Sequence, residues 1–220
     1  MMFAGHAFTC HPSGLLYWPA QKLAVVADLH LEKGSHFAKR GFFVPPYDSR
    51  ETLGKLNDAL NALDAEKLMV LGDTFHDATG FARLTPDDSA AFLKLAAYSP
   101  IWVRGNHDGA YVPPGFEGCD ERVIENIVFR HEAAAHAQGF EISGHFHPKA
   151  EVEHKGGRIS RPCFVEDGQR MILPAFGAYT GGLLVSEPAI ASLFPNGHSV
   201  HMLGAARVFT LPPPLKSASH

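Results

Sequence analysis

The chain has 220 residues, of which 45% are hydrophobic and 19% are charged, values typical of a globular protein with a substantial core. Its formal net charge of −4 excludes a global positive field that would attract nucleic acid or an anionic membrane, although a local basic groove would suffice for nucleic acid. Three cysteines without a CxxC pair favour a reducing compartment, the cytoplasm, over a disulfide framework. The sequence shows neither a signal-peptide pattern nor an apolar run of membrane-spanning length.

The first half of the chain repeats strand, loop and helix. Short apolar runs predict buried strands at 23–30, 67–73 and 100–106. One helix is predicted with Asp48 as its N-cap, because leucines follow at helical spacing, and another is predicted to start around Thr85, which a proline follows. This repeat predicts parallel strands joined by crossover connections.

After about residue 120 the pattern changes to short apolar runs split by glycine, proline and charged residues. These runs predict strands with hairpin-like connections. They are residues 122–131, 140–147, 158–167, 170–177, 182–187 and 206–211. The sequence therefore predicts an α/β (α+β) fold, mixed in its first half and mostly β in its second, as one domain over residues 1–212 with a flexible tail at 213–220.

Polar side chains stand at or just beyond the carboxyl ends of five of these predicted strands. Taken singly, each is more often a turn residue, a cap or a structural histidine than a ligand. Seven nitrogen or oxygen donors at five successive strand ends are better explained by a shared ligand, since ligands of open α/β sheets bind beyond these ends. The candidate donors are Asp28, His30, Asp73, Asn106, His131, His145 and His147.

The chemistry of these donors indicates which ions they would bind. None is a thiolate, which excludes a cysteine-rich structural zinc site. Imidazole, carboxylate and amide oxygen together suit Mn, Fe, Zn, Co or Ni. Seven donors are too many for one tetrahedral site and match two ions that share a bridging carboxylate, the arrangement that activates water and clamps a phosphoryl group.

In their order, these motifs resemble those of the calcineurin-like metallophosphoesterases. The motifs are D-x-H at 28–30, G-D at 72–73, G-N-H-D at 105–108, the lone His131 and G-H-x-H at 144–147. The resemblance implies two packed mixed β-sheets flanked by helices. It also implies two divalent metal ions, for which we expect Mn first, with Fe, Zn, Ni or Mg as alternatives.

The resemblance assigns a role to each candidate residue. One ion would be held by Asp28, His30, Asp73 and His147, and the other by Asp73, Asn106, His131 and His145, with Asp73 bridging. His107 would face the substrate as an electrophile or a general acid. Asp108 would then fix the orientation of the His107 ring.

Longer stretches are similar to the bacterial DNA-ligase-associated metallophosphoesterases, whose members are named as DNA-damage-response endonucleases. These stretches are residues 28–41, 45–53, 71–77, 144–150 and 174–182. One departure is Ala133, where we would expect proline, and it concerns only the local loop. The resemblance implies a nuclease or phosphodiesterase that acts on DNA in repair and is functionally associated with a DNA ligase and a helicase.

Further residues are candidates for substrate binding, and two other functions stay open. Lys33 and Arg40 lie in a basic loop at 33–40, and His76 follows the bridging carboxylate. A nucleic-acid backbone would suit such a loop, but a solvated surface explains it equally well. The acidic chain is also compatible with a phosphoesterase for small nucleotides or phosphomonoesters. A non-enzymatic module of the same fold is disfavoured because every expected ligand is present.

Overall fold

Two β-sheets and a short β-ribbon contain the strands of the computed structural model, which describes residues 1–39, 41–42, 47–109, 112–136 and 138–211. The tail expected at 213–220 and the candidate Arg40 lie outside these residues. No helix among the described residues is long and apolar enough to cross a membrane.

The strands follow one another in chain order through the ribbon, the first sheet and the second sheet. The ribbon contains β1 (Met2–Phe3) and β2 (His6–Ala7). The first sheet contains β3 (Thr9–Cys10), β4 (Leu16–Trp18), β5 (Leu23–Ala27), β6 (Lys67–Leu71), β7 (Ile101–Val103) and β8 (Glu117–Cys119). The second contains β9 (Glu121–Ile124), β10 (Ile127–Arg130), β11 (Phe140–Ser143), β12 (Lys149–His154), β13 (Gly157–Glu166), β14 (Arg170–Ile172), β15 (Ser199–Leu203) and β16 (Val208–Leu211).

The helices of the described residues lie mostly on the first sheet. They are α1 (Lys33–Ala38), α2 (Asp48–Ala62), α3 (Pro86–Leu93) and α4 (Pro188–Ala191), with 3-10 turns at Pro19–Gln21, Phe81–Arg83 and Lys94–Tyr98. Helix α2 connects β5 to β6, and α3 connects β6 to β7. These crossovers make β5, β6 and β7 parallel, as the alternating pattern predicts.

Strand β5 is buried on both faces, which is why its sequence shows no alternation of polar and apolar residues. Leu23, Val25 and Ala27 pack into the core between the two sheets. Ala24 and Val26 point the other way, into the core beneath α2 and α3. The second sheet is covered on its other side by α4, where Ile190 packs among Val165 and Ile172. The predicted architecture of two packed mixed sheets flanked by helices is confirmed.

Of the two predicted helix N-termini, that of α3 is confirmed and that of α2 is wrong. Helix α3 is confirmed, with the Thr85 side chain accepting a hydrogen bond from the backbone N–H of Asp88. The N-cap of α2 was predicted wrongly, because Tyr47 occupies that position and Asp48 is the first helical residue. The Asp48 carboxylate instead accepts a hydrogen bond from the N–H of Gly34, so it ties α1 to α2.

The hairpin-like connections predicted for the second half are wrong at the centre of the second sheet. The spatial order is β16-β15-β13-β14-β11-β10-β9, with β12 paired to β13, and β11 runs parallel to both β10 and β14. The loop after β10 and the β12–β13 hairpin return the chain to the same end of the sheet, which makes parallel pairing possible. The strand predicted at 182–187 is also wrong, because only an isolated bridge between Lys149 and Leu184 forms there.

A buried ion pair connects this central strand to its neighbour. Glu141 on β11 and Arg170 on β14 are 3% and 4% exposed, and the Arg170 Nε donates to Glu141 Oε1 at 2.5 Å. We expect Arg170→Met to lower the free energy of unfolding by about 3 kcal/mol, because among its described partners the buried Glu141 carboxylate keeps only the more distant Arg130, at 3.8 Å, and the Ala134 N–H. Chemical denaturation measures this loss. The matched control is Arg158→Met, which removes an exposed pair with Glu151 and should change little; equal effects of the two variants would contradict the prediction.

A second prediction concerns pH. Burial lowers the pKa of Lys55 from 10.5 to about 8, while its ammonium donates to the Phe176 carbonyl and lies 4.0 Å from the centre of that ring. Between these values the unfolded chain binds a proton that the folded protein does not, so the free energy of unfolding should rise as pH rises from about 8 to 10.5. Denaturation of the wild type and of Lys55→Met across this window checks it. Parallel pH profiles of the two proteins would show the prediction to be wrong.

Candidate metal centre

The polar residues that follow β5, β6, β10 and β11 come together at one edge of the sandwich. Six of them form two groups, in each of which the possible ligand atoms all lie within 4.8 Å of one another. The first group is Asp28, His30 and His147, and the second is Asp73, His131 and His145. Each group takes ligands from both sheets, so the centre depends on the packing of the sandwich.

The Asp73 carboxylate lies between the two groups. Its Oδ2 is 3.5 Å from His131 Nε2 in its own group and 3.9 Å from His30 Nε2 in the first group. Within the groups, the ring nitrogens of His30 and His147 are 3.2 Å apart, and those of His131 and His145 are 3.1 Å apart. Imidazole nitrogens that converge on a carboxylate in this way resemble a set of metal ligands.

Each carboxylate of the centre has one oxygen bound to the backbone of another loop. Asp28 Oδ2 accepts from the His145 N–H, and Asp73 Oδ1 accepts from the His107 N–H, both at 2.9 Å. The other oxygens point to the ring nitrogens: Asp28 Oδ1 is 3.5 Å from His147 Nε2. The backbone contacts therefore fix each carboxylate and leave one oxygen free for a cation.

The backbone around the centre is held in an uncommon conformation. Five of the seven predicted ligands have φ values between 44° and 71°, in the left-handed region. These five are Asp28, His30, Asp73, His145 and His147. Non-glycine residues rarely adopt this conformation, and each costs about 1–3 kcal/mol, so such clusters typically mark functional sites.

Two glycines allow the loops to approach one another closely. A Cβ atom on Gly105 would lie 2.2 Å from the Asp73 nitrogen, and a Cβ on Gly144 would lie 2.5 Å from Asp28 Oδ2. Any side chain at either position would displace a central carboxylate. The glycines of G-N-H-D and G-H-x-H are therefore needed for packing as well as for turning the chain.

The electrostatics of the centre fit divalent cations. Asp28 and Asp73 are 0% and 3% exposed, and their ion pairs among the described residues are all with histidines. Burial, reinforced by the neighbouring imidazoles, lowers the pKa of His30 to about 2 and also lowers the pKa of His145, which disfavours the charged form of both rings. Neither carboxylate has an arginine or lysine partner among the described residues, and Asp28 Oδ1 accepts no hydrogen bond from them. Bound cations would supply both the charge and the partner.

His107 is oriented by the backbone and not by Asp108, in contrast to the role expected from the sequence. Its Nδ1 donates to the His76 carbonyl at 2.9 Å, while Nε2 lies 3.8 Å from Asp73 Oδ2. The Asp108 carboxylate instead accepts from the N–H groups of Thr74 and Gly105. Burial raises the pKa of Asp108 to about 6. Asp108 thus holds together the two loops that carry Asp73 and His107.

The remaining candidates lie around this centre. Asn106 follows Gly105 in the same loop, and its exposed side chain has no hydrogen bond to a described residue. The Lys33 ammonium donates to the Tyr179 carbonyl at 3.0 Å, and the His76 ring stacks on His107 with 5.4 Å between ring centres. His36 belongs to the basic loop at 33–40, and the centre of its ring lies 4.5 Å from that of the His76 ring.

Comparison with known proteins identifies the family. Residues 21–172 match the model of the calcineurin-like phosphoesterases. The chain belongs to this family. Calcineurin-like phosphoesterases are metal-dependent hydrolases of phosphate esters, which agrees with the two groups of candidate ligands. No curated protein sequence matches the chain.

Several solved structures resemble this calcineurin-like phosphoesterase. Nuclease MPE from Pseudomonas putida is 29% identical, with a TM-score of 0.72, and the likeness covers 95% of this chain and 98% of the nuclease. YfcE, a phosphoesterase from E. coli, is 14% identical over 86% of this chain and 97% of its own, with a TM-score of 0.41. Vps29 from Entamoeba histolytica is 15% identical over 86% and 96%, with a TM-score of 0.37. At these scores the last two do not bear on function.

The close packing at Gly105 gives a test of the centre. We expect Gly105→Ala to lower the free energy of unfolding by about 1–3 kcal/mol and to weaken metal retention, because the added methyl group displaces Asp73. Denaturation and metal analysis of the purified protein measure the two effects. Gly54→Ala is the control: its Cβ meets open space on α2, so it should stabilise the protein by about 0.5–1 kcal/mol. Normal metal content in Gly105→Ala would argue against the predicted displacement.

Proposed function

We propose that this calcineurin-like phosphoesterase is a dinuclear metal-dependent phosphodiesterase that cleaves DNA, acting in bacterial DNA repair in the cytoplasm. The position of Asp73 Oδ2, within 4 Å of ring nitrogens from both ligand groups, is the observation that carries the proposal. One carboxylate shared by two sets of ligands is what a pair of cations requires. The likeness to a nuclease over 95% of the chain supports nucleic acid as the substrate.

The proposed ligands divide between two ions. Asp28, His30 and His147 would hold one, His131 and His145 the other, and Asp73 would be shared by both. Asn106, which is exposed on the loop after β7, would complete the second set. Mn is the first choice, with Fe, Zn, Ni or Mg as alternatives. When bound, such ions activate water and neutralise negative charge on a phosphoryl group.

The protein's own contribution lies in orientation and in His107. Because a carbonyl can only accept a hydrogen bond, His107 Nδ1 carries a proton and Nε2 is the nitrogen that faces the centre. With its side chain 45% exposed, His107 can reach a substrate that the buried ligands cannot contact directly. It can donate a hydrogen bond to a phosphoryl oxygen or a proton to the leaving oxygen.

Residues at the edge of the centre are placed to contact the phosphate groups of an anionic polymer such as DNA. Lys33 is held against the Tyr179 carbonyl, and His76 is stacked on His107, so both would lie beside a bound phosphate. Tyr179 is 49% exposed and belongs to a loop whose Gly177 N–H donates to the Asp28 carbonyl. The net charge of −4 favours the alternative, a small nucleotide or phosphomonoester. Functional association with a DNA ligase and a helicase is part of the first proposal.

Because Asp73 is proposed to bind both ions, we expect its substitution to lower activity more than that of any other ligand. Asp73→Asn should lower phosphodiesterase activity by at least about 100-fold and reduce bound metal, because one carboxylate serves both ions. Metal content per chain and kcat/KM are the measurements, with chelator treatment and readdition of each metal as a parallel arm. The control Asp87→Asn changes an exposed carboxylate, with 91% of its side chain accessible, and should alter neither. Full activity in chelator, or an active Asp73→Asn, would overturn the dinuclear proposal.

A substrate panel separates DNA cleavage from the alternative. We expect metal-dependent cleavage of single- or double-stranded DNA at rates well above those for cyclic nucleotides and phosphomonoesters. If only small esters were hydrolysed, the DNA proposal would fail, while the family and the centre would stand. Identification of the metal that gives the highest kcat/KM on DNA tests the choice of Mn.

A further inference from the structure

We propose that a cluster behind His76, formed by His36, Asp77 and Arg83, positions His107 to protonate the leaving oxygen of a phosphodiester. We call these three residues the Asp77 cluster. None of them is a candidate metal ligand, and none has a role in the function proposed above. The inference rests on that phosphodiesterase function and assigns positioning residues to it.

Asp77 is the centre of a dense set of hydrogen bonds. Arg83 donates to both of its carboxylate oxygens, at 2.8 and 2.7 Å. The hydroxyl and backbone N–H of Thr79 donate to Oδ1, and His36 Nδ1 lies 2.8 Å from Oδ2. The contact with Arg83 lowers the pKa of Asp77, so the group is a carboxylate throughout the ordinary pH range. A bidentate arginine pair of this kind fixes both the position and the plane of the carboxylate.

The cluster reaches His107 through one peptide group. The carbonyl that accepts the hydrogen bond from His107 Nδ1 belongs to His76, and the peptide plane of that carbonyl includes the nitrogen of Asp77. Fixing Asp77 therefore fixes the acceptor of the His107 proton. The rings make a second connection: His36 lies edge-on to His76 at 4.5 Å, and His76 stacks on His107 at an angle of 18°.

This geometry has a specific chemical consequence. An oxygen of water forms a bond to phosphorus and gives up a proton to the solvent, while the bond between phosphorus and the leaving oxygen breaks. The leaving oxygen takes a proton from His107 Nε2, and the ring regains a proton from the solvent. The Nδ1–H bond to the His76 carbonyl aims Nε2 at the reacting bond. An alkoxide leaving group, as in DNA, needs this proton, whereas a nitrophenolate leaves readily without it.

The difference between leaving groups provides the test. For Asp77→Asn we expect kcat on a DNA oligonucleotide to fall about 10- to 100-fold, with KM nearly constant, and kcat on bis-p-nitrophenyl phosphate to fall much less. His36→Phe keeps the ring against His76 but loses the bond to Asp77, so it should show a weaker form of the same selectivity. In a His107→Ala background, Asp77→Asn should cause no further loss on DNA.

Controls separate positioning from folding. Thermal unfolding of each variant reports stability, and Asp87→Asn controls for removal of an exposed carboxylate. If Asp77→Asn lowered kcat equally on DNA and on bis-p-nitrophenyl phosphate, the inference would be overturned. A residue that only stabilises the fold would affect both substrates alike, whatever their leaving group. If Asp77→Asn cleaved DNA at the wild-type rate while His107→Ala lost most of its activity, the inference would be overturned and the proposed function would stand. A wild-type enzyme inactive on both substrates would instead overturn the proposed function.

Discussion

Asp28 and Asp73 each direct one carboxylate oxygen to a backbone N–H and the other to the candidate cation site, and the geometry of the centre depends on this division. One oxygen of each accepts an N–H from another loop, which ties the loop after β5 to His145 and the loop after β6 to His107. The other oxygen remains among imidazole nitrogens. The hydrogen bonds that bring the loops together are thus the same bonds that orient the proposed ligands.

This arrangement is costly for the protein without a cation. Two carboxylates are buried among imidazole rings, and five of the proposed ligand positions are held in the left-handed region. The two-sided core around β5 and β6 offsets that cost, because both faces of these strands exclude water. A cation that binds only the folded centre stabilises it further through mass action. Strands that are buried on both faces therefore carry the loops with the least favourable backbone conformations.

Local patterns explain which features could be predicted from the sequence. The unbroken apolar runs of β5 and β6 require burial on both faces, and strand ends in a parallel sheet lie at one edge, so the positions of Asp28 and Asp73 follow. The cap of α3 also follows from Thr85 and Pro86. The parallel pairing of β11 does not, since it depends on where the β12–β13 hairpin returns the chain. The same holds for Asp48 and Asp108, whose hydrogen bonds go to distant backbone groups that sequence spacing does not reveal.

His107 differs from the candidate ligands that the structure buries around it, and this difference separates two tasks. Asp28, Asp73 and His131 are buried and interlocked, as residues that hold ions in fixed positions need to be. The His107 ring is nearly half exposed, and its orientation comes from a backbone carbonyl on the neighbouring loop. A backbone acceptor cannot rotate away as a side chain can, so the ring keeps its direction while its free nitrogen meets solvent or substrate. In the proposed function, the buried residues would therefore bind the ions and His107 would contact the substrate, and the His76 ring packs against both His30 and His107.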